Sequence, residues 1–315
     1  MQMFHMRQWP IGKRLVFLIL MICTILLILL ILYVNIGSWF KGQPYQMILT
    51  AESVMDRVVK AWHDEDGALF LTLTADDLVI YDARQIGFTT SAKDAASMVQ
   101  RAEWWNQIEM SPGAYFVAQD GRFAVFVSTL FMASDTPCLY PVAALYAIKN
   151  GKLNYIYDYY GGIMSLTQPQ PAIRSRKLNP RSVETRAIVD ESTALVETWL
   201  KAYNQRDEKT YLACYADDAQ QVKMIRPNWR VLSKSELAVD VTARFRRTDF
   251  LAKLEPPYAS PLDQGFFVSA DGRYAAAQGQ YSDFGTDPVP MLIILELANG
   301  QIIREYTYMD IEWIS

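Results

Sequence analysis

The sequence predicts an α+β protein: two copies of a helix-then-sheet unit behind one N-terminal membrane-spanning helix. Three observations carry this. A single run of twenty residues near the N-terminus is apolar at almost every position. A helical apolar period followed by alternating β segments then occurs twice. Short motifs also recur in the same order in both halves.

The span is Leu15 to Val34, with Thr24 its one polar side chain. At the α-helical rise it covers about 30 Å, the thickness of a hydrocarbon core. Arg7, Lys13 and Arg14 precede it without an acid, and only Lys41 follows before Glu52. Basic residues stay in the cytoplasm, so 1–14 is expected inside and everything after the span outside the cell membrane. A cleaved signal peptide has a shorter core and a small-residue cleavage site. Here Tyr33, Trp39 and Phe40 put bulk in that place, so a retained single-pass anchor is expected.

Composition narrows the function classes. Of 315 residues 51% are hydrophobic and 13% aromatic, which supports two ordinary cores. A net charge of −4 argues against a nucleic-acid partner. The three cysteines, Cys23, Cys138 and Cys214, make neither a disulfide framework nor a zinc pattern. With His5 and His63 the only histidines, a histidine-rich metal site and a Ser-His-Asp triad in the second half are excluded. No cofactor and no metal is expected.

Residues 35–45 read as a tether. Ala51, Val54, Met55, Val58, Val59 and Trp62 then recur at helical spacing, with Gly67 in the usual stop position. A second short helix is expected over Ala68–Leu73. Asp76-Asp77, and Asp217-Asp218 in the second half, read as caps and turn formers, with a strand expected at Leu78–Tyr81. Ala114–Ala118, Phe123–Phe131, Tyr140–Ile148 and Leu153–Tyr160 alternate as strands, with hairpin turns at Asp120-Gly121 and Asn150-Gly151. Residues 166–186 are rich in proline and arginine and read as a semi-extended basic linker. It separates a first domain, 46–165, from a second, 187–315.

The repeat aligns by hand. Lys60-Ala61-Trp62 through Asp66 matches Lys201-Ala202-Tyr203 through Asp207, and Ala75-Asp76-Asp77 matches Ala216-Asp217-Asp218 at the same offset. Asp120-Gly121-Arg122 matches Asp271-Gly272-Arg273, and Asn150-Gly151 matches Asn299-Gly300. Each copy resembles the NTF2-like superfamily, most closely its SnoaL-like branch. The carrying features are the helix ending in Lys60–Asp66 or Lys201–Asp207, the A-D-D after Thr74 or Tyr215, and the late hairpin at Asn150–Leu153 or Asn299–Ile302. The resemblance implies a cone of curved, mostly antiparallel sheet wrapped by helices, a fold that hosts isomerases, cyclases, dehydratases and non-catalytic modules.

The candidate catalytic residues follow from that resemblance. Asp82 lies where ketosteroid-isomerase-like members carry a general base, but Val58 stands where they carry a tyrosine donor. In the second copy the base position is Lys223 and the donor position Trp199. Asp158 and Asp310 lie on the last strands, where SnoaL-like cyclases place acid/base carboxylates. Tyr155, Tyr157, Tyr159 and Tyr160 surround Asp158, which reads more simply as aromatic sheet packing. Trp104-Trp105 and Phe245 to Phe250 suit a pocket mouth or an interface, with core packing the default reading of both.

With the catalytic set incomplete in both copies, the leading expectation is a non-catalytic binding or assembly module. It would be a subunit or scaffold of a membrane-associated complex, with the lipid bilayer and one or more proteins as partners. The alternative is a tethered SnoaL-like enzyme using Asp82 or Asp158 on a small apolar ligand.

Overall fold

A first helix over residues 46–63, α1, carries its apolar stripe inward: Ala51, Met55, Val58 and Ala61 are buried. The chain follows as α2 (Gly67–Leu73), β1 (Thr74–Asp82), β2 (Thr89–Thr90), α3 (Ala92–Val99), β3 (Ile108–Met110), β4 (Ala114–Val117), β5 (Phe123–Met132), β6 (Cys138–Lys149) and β7 (Lys152–Tyr160). The second half runs α4 (Val183–Gln205), α5 (Glu208–Ala213), β8 (Tyr215–Ile225), β9 (Arg230–Ser233), α6 (Lys234–Arg246), β10 (Phe266–Val268), β11 (Tyr274–Tyr281), β12 (Val289–Ala298) and β13 (Gln301–Met309). This is a computed structural model. It describes residues 46–82, 89–100, 108–110, 114–132, 138–160, 183–225, 230–247, 254, 260–262, 264–281 and 289–309. Met47–Ser315 form one compact unit; Met1–Gln46 form the other, of which Gln46 alone is described. The expected span Leu15–Val34 and its flanking Arg7, Lys13 and Arg14 lie outside the described residues, as do 166–182 of the expected linker 166–186; its last four residues, 183–186, are helix instead and open α4. Among the described residues no helix is long and apolar enough to cross a membrane.

The architecture is α+β with two mixed sheets. The first has the order β2-β1-β7-β6-β5-β3, with β4 also on β5; the second has β10-β11-β12-β13-β8-β9. In each sheet a long hairpin pair, β6–β7 or β12–β13, is antiparallel. The strand after the second helix, β1 or β8, then adds in parallel beside the last strand. Both parallel pairs shift register just after their first residue, between Thr74 and Val79 in one and at the Ile302–Arg304 step in the other. That shift overturns the reading of Asp76-Asp77 and Asp217-Asp218 as caps. Both pairs lie inside strands, in the bulged stretch, and the capping carboxylates are Asp66 and Asp207. These accept from Leu69 N at 2.8 Å and Thr210 N at 3.1 Å.

Gly67 is also not a helix stop. It opens α2, and the left-handed residue after α1 is Glu65 (φ 56), matched by Arg206 (φ 56) after α4. Glycine is needed at 67 for proximity, since a Cβ there would meet Ala96 O at 2.4 Å.

The helices of each half cover one face of its own sheet. In the first half Met55, Val58, Phe70 and Val99 meet Ile80, Phe126, Tyr146 and Ile156. In the second, Val196, Trp199, Tyr211 and Leu237 meet Ala277, Ile293, Leu295 and Ile302. The opposite faces of the two sheets meet each other in a third core, where Tyr155, Tyr157 and Tyr159 pack with Val222, Met224, Tyr306 and Tyr308. Phe116 stacks on Tyr274 at 5.3 Å between centroids, and Gln278 donates to Tyr159. At one edge the halves are stitched by backbone hydrogen bonds, Gln119 N to Val268 O at 3.0 Å and Ala270 N to Val117 O at 2.8 Å.

Candidate functional site

The two helix-covered interiors differ in chemistry. Register makes the comparison position by position. Ile80 on β1 pairs with Ile156 on β7, and Gln221 on β8 pairs with Glu305 on β13. One interior is therefore aliphatic where the other carries an amide and a carboxylate.

Glu305 is 2% exposed and surrounded by donors. Gln221 Nε2 donates to Oε1 at 2.6 Å and Thr307 Oγ1 donates to it at 3.0 Å. On Oε2, Tyr215 donates closely and Tyr211 approaches at 3.4 Å. Trp199 Nε1 donates to Tyr215 Oη at 2.9 Å, so the indole anchors the chain of hydroxyls. Burial, and then the Glu305 charge, push the Tyr211 and Tyr215 hydroxyls well above their ordinary range, so both stay protonated donors.

A second polar group lies on α6. Asp240 Oδ2 is 2.7 Å from Lys223 Nζ and 2.7 Å from Arg244 Nε. Burial pulls the Lys223 pKa down, and the neighbouring Arg244 adds to that. For Asp240, burial acts upward, but Arg244 and Lys223 outweigh it and hold the carboxyl below its usual range. Arg244 Nη2 and Gln221 Oε1 are buried without a hydrogen-bond partner, and Arg244 Nε faces Asp240 outside hydrogen-bond geometry. Phe245 lies edge-on to Tyr203 and Tyr211 at 5.6 and 5.7 Å, closing the aromatic wall.

The residues singled out in the sequence fall as follows. Lys223 and Trp199 both lie in this second interior. Val58, at the donor position of the first half, is fully buried among apolar side chains. The backbone of Asp82 ends β1 directly opposite Asp158 on β7, two candidate carboxylate positions brought side by side. Asp158 is half-buried and engaged by neighbours. The side chain of Asp82, and Arg84, Asp310, Trp104, Trp105 and Phe250, lie outside the described residues. His63 is exposed beside Asp64, and among the described residues no cluster could hold a metal ion. Cys214 is a buried free thiol.

Sequence reasoning passed over Glu305, Gln221, Asp240 and Arg244. One signal was available. Extending the Asn150/Asn299 alignment along the last strand sets Glu305 against Ile156, an acid against an aliphatic at an inward position.

No protein-family model matches the chain. No curated protein matches it either. Among solved structures it is similar to an NTF2-like protein of unknown function from Burkholderia xenovorans, at 14% identity over 38% of this chain and 84% of that one, TM-score 0.30. It is also similar to an LEH-like epoxide hydrolase from M. tuberculosis, at 16% identity over 36% and 84%, TM-score 0.29. A third, an NTF2-like protein of unknown function from Cytophaga hutchinsonii, shares 12% identity over 38% and 89%, TM-score 0.28.

Proposed function

We propose that the chain is a membrane-tethered tandem of two NTF2-like domains, residues 46–165 and 187–315, serving as a non-catalytic binding subunit of a membrane-associated complex. In this reading the first domain is a packing partner and the second the binding copy. The strand order shared by the two sheets apart from the extra β3, and the helices confined to one sheet face, support the tandem. The apolar run Leu15–Val34 supports the tether.

One observation carries the non-catalytic part. An ionised carboxylate has about four acceptor positions. On Glu305, Gln221, Thr307 and Tyr215 hold three of them, while the Tyr211 hydroxyl meets Tyr215 at 2.7 Å, so the carboxylate is committed to its own neighbours rather than to a substrate. Its counterpart in the first half is Ile156, which has no chemistry to offer.

The test is mild-detergent purification from native membranes, with native mass spectrometry of what accompanies the protein. A stoichiometric protein partner retained in an Asp158→Asn variant is expected. A protein that travels alone, and turns over a small apolar ketone or epoxide in an Asp158-dependent way, would overturn the reading. That outcome belongs to the tethered-enzyme alternative, which the opposed positions of Asp82 and Asp158 favour. For the tether, protease added to intact spheroplasts should digest residues 35–315; protection until lysis would reverse the topology.

A further inference from the structure

Three buried polar atoms in the second interior are orphaned, and they are of two opposite kinds. Arg244 Nε and Nη2 are donors with no acceptor in hydrogen-bond geometry, and Gln221 Oε1 is an acceptor with no donor. None is relieved by the charges already present. Asp240 Oδ2 accepts from Lys223 and lies 2.7 Å from Arg244 Nε as an ion pair outside hydrogen-bond geometry. Glu305 carries the second negative charge, but it is engaged by Tyr215, Gln221 and Thr307. The interior is thus balanced in formal charge and unbalanced in hydrogen bonding. Leaving a buried donor or acceptor unmade costs about 1–3 kcal/mol, more for a charged group. Such a group in a native interior calls for an explanation.

We propose that the second interior binds a small monocarboxylate that also carries a hydroxyl. The carboxylate would accept from Arg244, and the hydroxyl would donate to Gln221 Oε1. The assignment rests on the reading of this copy as the binding one. A carboxylate matches a guanidinium edge better than any neutral acceptor, because charge-assisted bonds are about twice as strong. A monoanion is favoured over phosphate or sulfate. With two cations facing two carboxylates, a dianion would leave twice the uncompensated negative charge in a low-dielectric site. The rings of Tyr203, Tyr211 and Phe245 supply an apolar wall for the ligand's body. The orphaned atoms are shielded from bulk water, so the contacts they make would not compete with solvent.

The experiment is calorimetric titration of the full chain in detergent with three probes: 4-hydroxybenzoate, benzoate and 4-hydroxybenzamide. The first should bind about tenfold more tightly than benzoate, the worth of one buried hydrogen bond. The amide, isosteric but neutral, should bind more weakly still, and Arg244→Gln should erase the difference between acid and amide. Benzoate matching 4-hydroxybenzoate, or the amide matching it, would overturn the proposal while leaving the interior a binding site. No binding by any probe would overturn the proposal, while the reading beneath it falls only if no protein partner accompanies the chain from native membranes. The three-probe comparison uses the unaltered protein and so does not depend on how a variant folds.

Discussion

Gln221 and Glu305 form a buried pair whose counterpart in the same chain, Ile80 and Ile156, is wholly apolar. The protein therefore contains its own control for the polar network. Glu305→Ile alone strands the donors of Tyr215, Gln221 and Thr307 and should cost about 3–5 kcal/mol, the range for breaking a buried charged contact. Adding Gln221→Ile removes one stranded partner and restores the pairing used in the other half, so it should return about 1–2 kcal/mol. A chemical-denaturation double-mutant cycle reads the coupling; strict additivity would show that the two side chains act independently. Asp240 gives a pH dependence. Its folded pKa lies below the unfolded value of about 3.9, so its stabilising contribution is complete above that value. The contribution is lost as pH falls through the folded pKa. Denaturation midpoints at pH 3 and pH 6 should therefore differ less in Asp240→Asn than in the parent chain. An unchanged difference would place the acid sensitivity elsewhere.

The hairpins and caps repeat between halves because each answers a local backbone demand. Gly121 and Gly272 have φ of 69 and 70, and a Cβ on either would strike the start of the helix lying over it. The nearest atoms are Met47 C at 2.4 Å and Ile188 Cγ2 at 2.7 Å. Alanine at either position should destabilise by more than about 1 kcal/mol, with Gly121 the worse because it meets backbone. Thermal unfolding of the two variants checks the order; equal, negligible shifts would mean the helix starts give way freely. These same demands made the elements legible in the sequence. Asp-Gly and Asn-Gly at hairpins and Asp66 or Asp207 before a short helix are short-range chemistry with few solutions. The paired aspartates after Ala75 and Ala216 misled for the complementary reason. Aspartate is common in caps, and nothing local announces that a register shift has drawn these pairs into a strand. The site was less visible than the scaffold. Which side of β13 faces helices, and what stands opposite Glu305 on β8, depends on pairings about 85 residues apart.

At the scale of the molecule, each half covers one sheet face with helices and leaves the other to its neighbour. Tyr157 stacks on Tyr159 at 4.7 Å and Phe116 reaches Phe267 at 5.7 Å, so the shared face is aromatic and closely packed. Residues 46–165 and 187–315 produced as separate chains should each expose that face. They should aggregate alone and recombine into a one-to-one complex when refolded together, as size-exclusion chromatography with light scattering would show. Two soluble, folded halves that ignore each other would mean that the shared core contributes little.

That shared core has a consequence in mass action. Two separate chains meeting through such faces would assemble according to their concentration and come apart on dilution. Joined in one polypeptide, the faces meet at an effective concentration set by the connecting segment rather than by how many copies a cell makes. The pairing then behaves as a first-order folding step. A binding interior that needs its packing partner in place would be as complete in a scarce protein as in an abundant one.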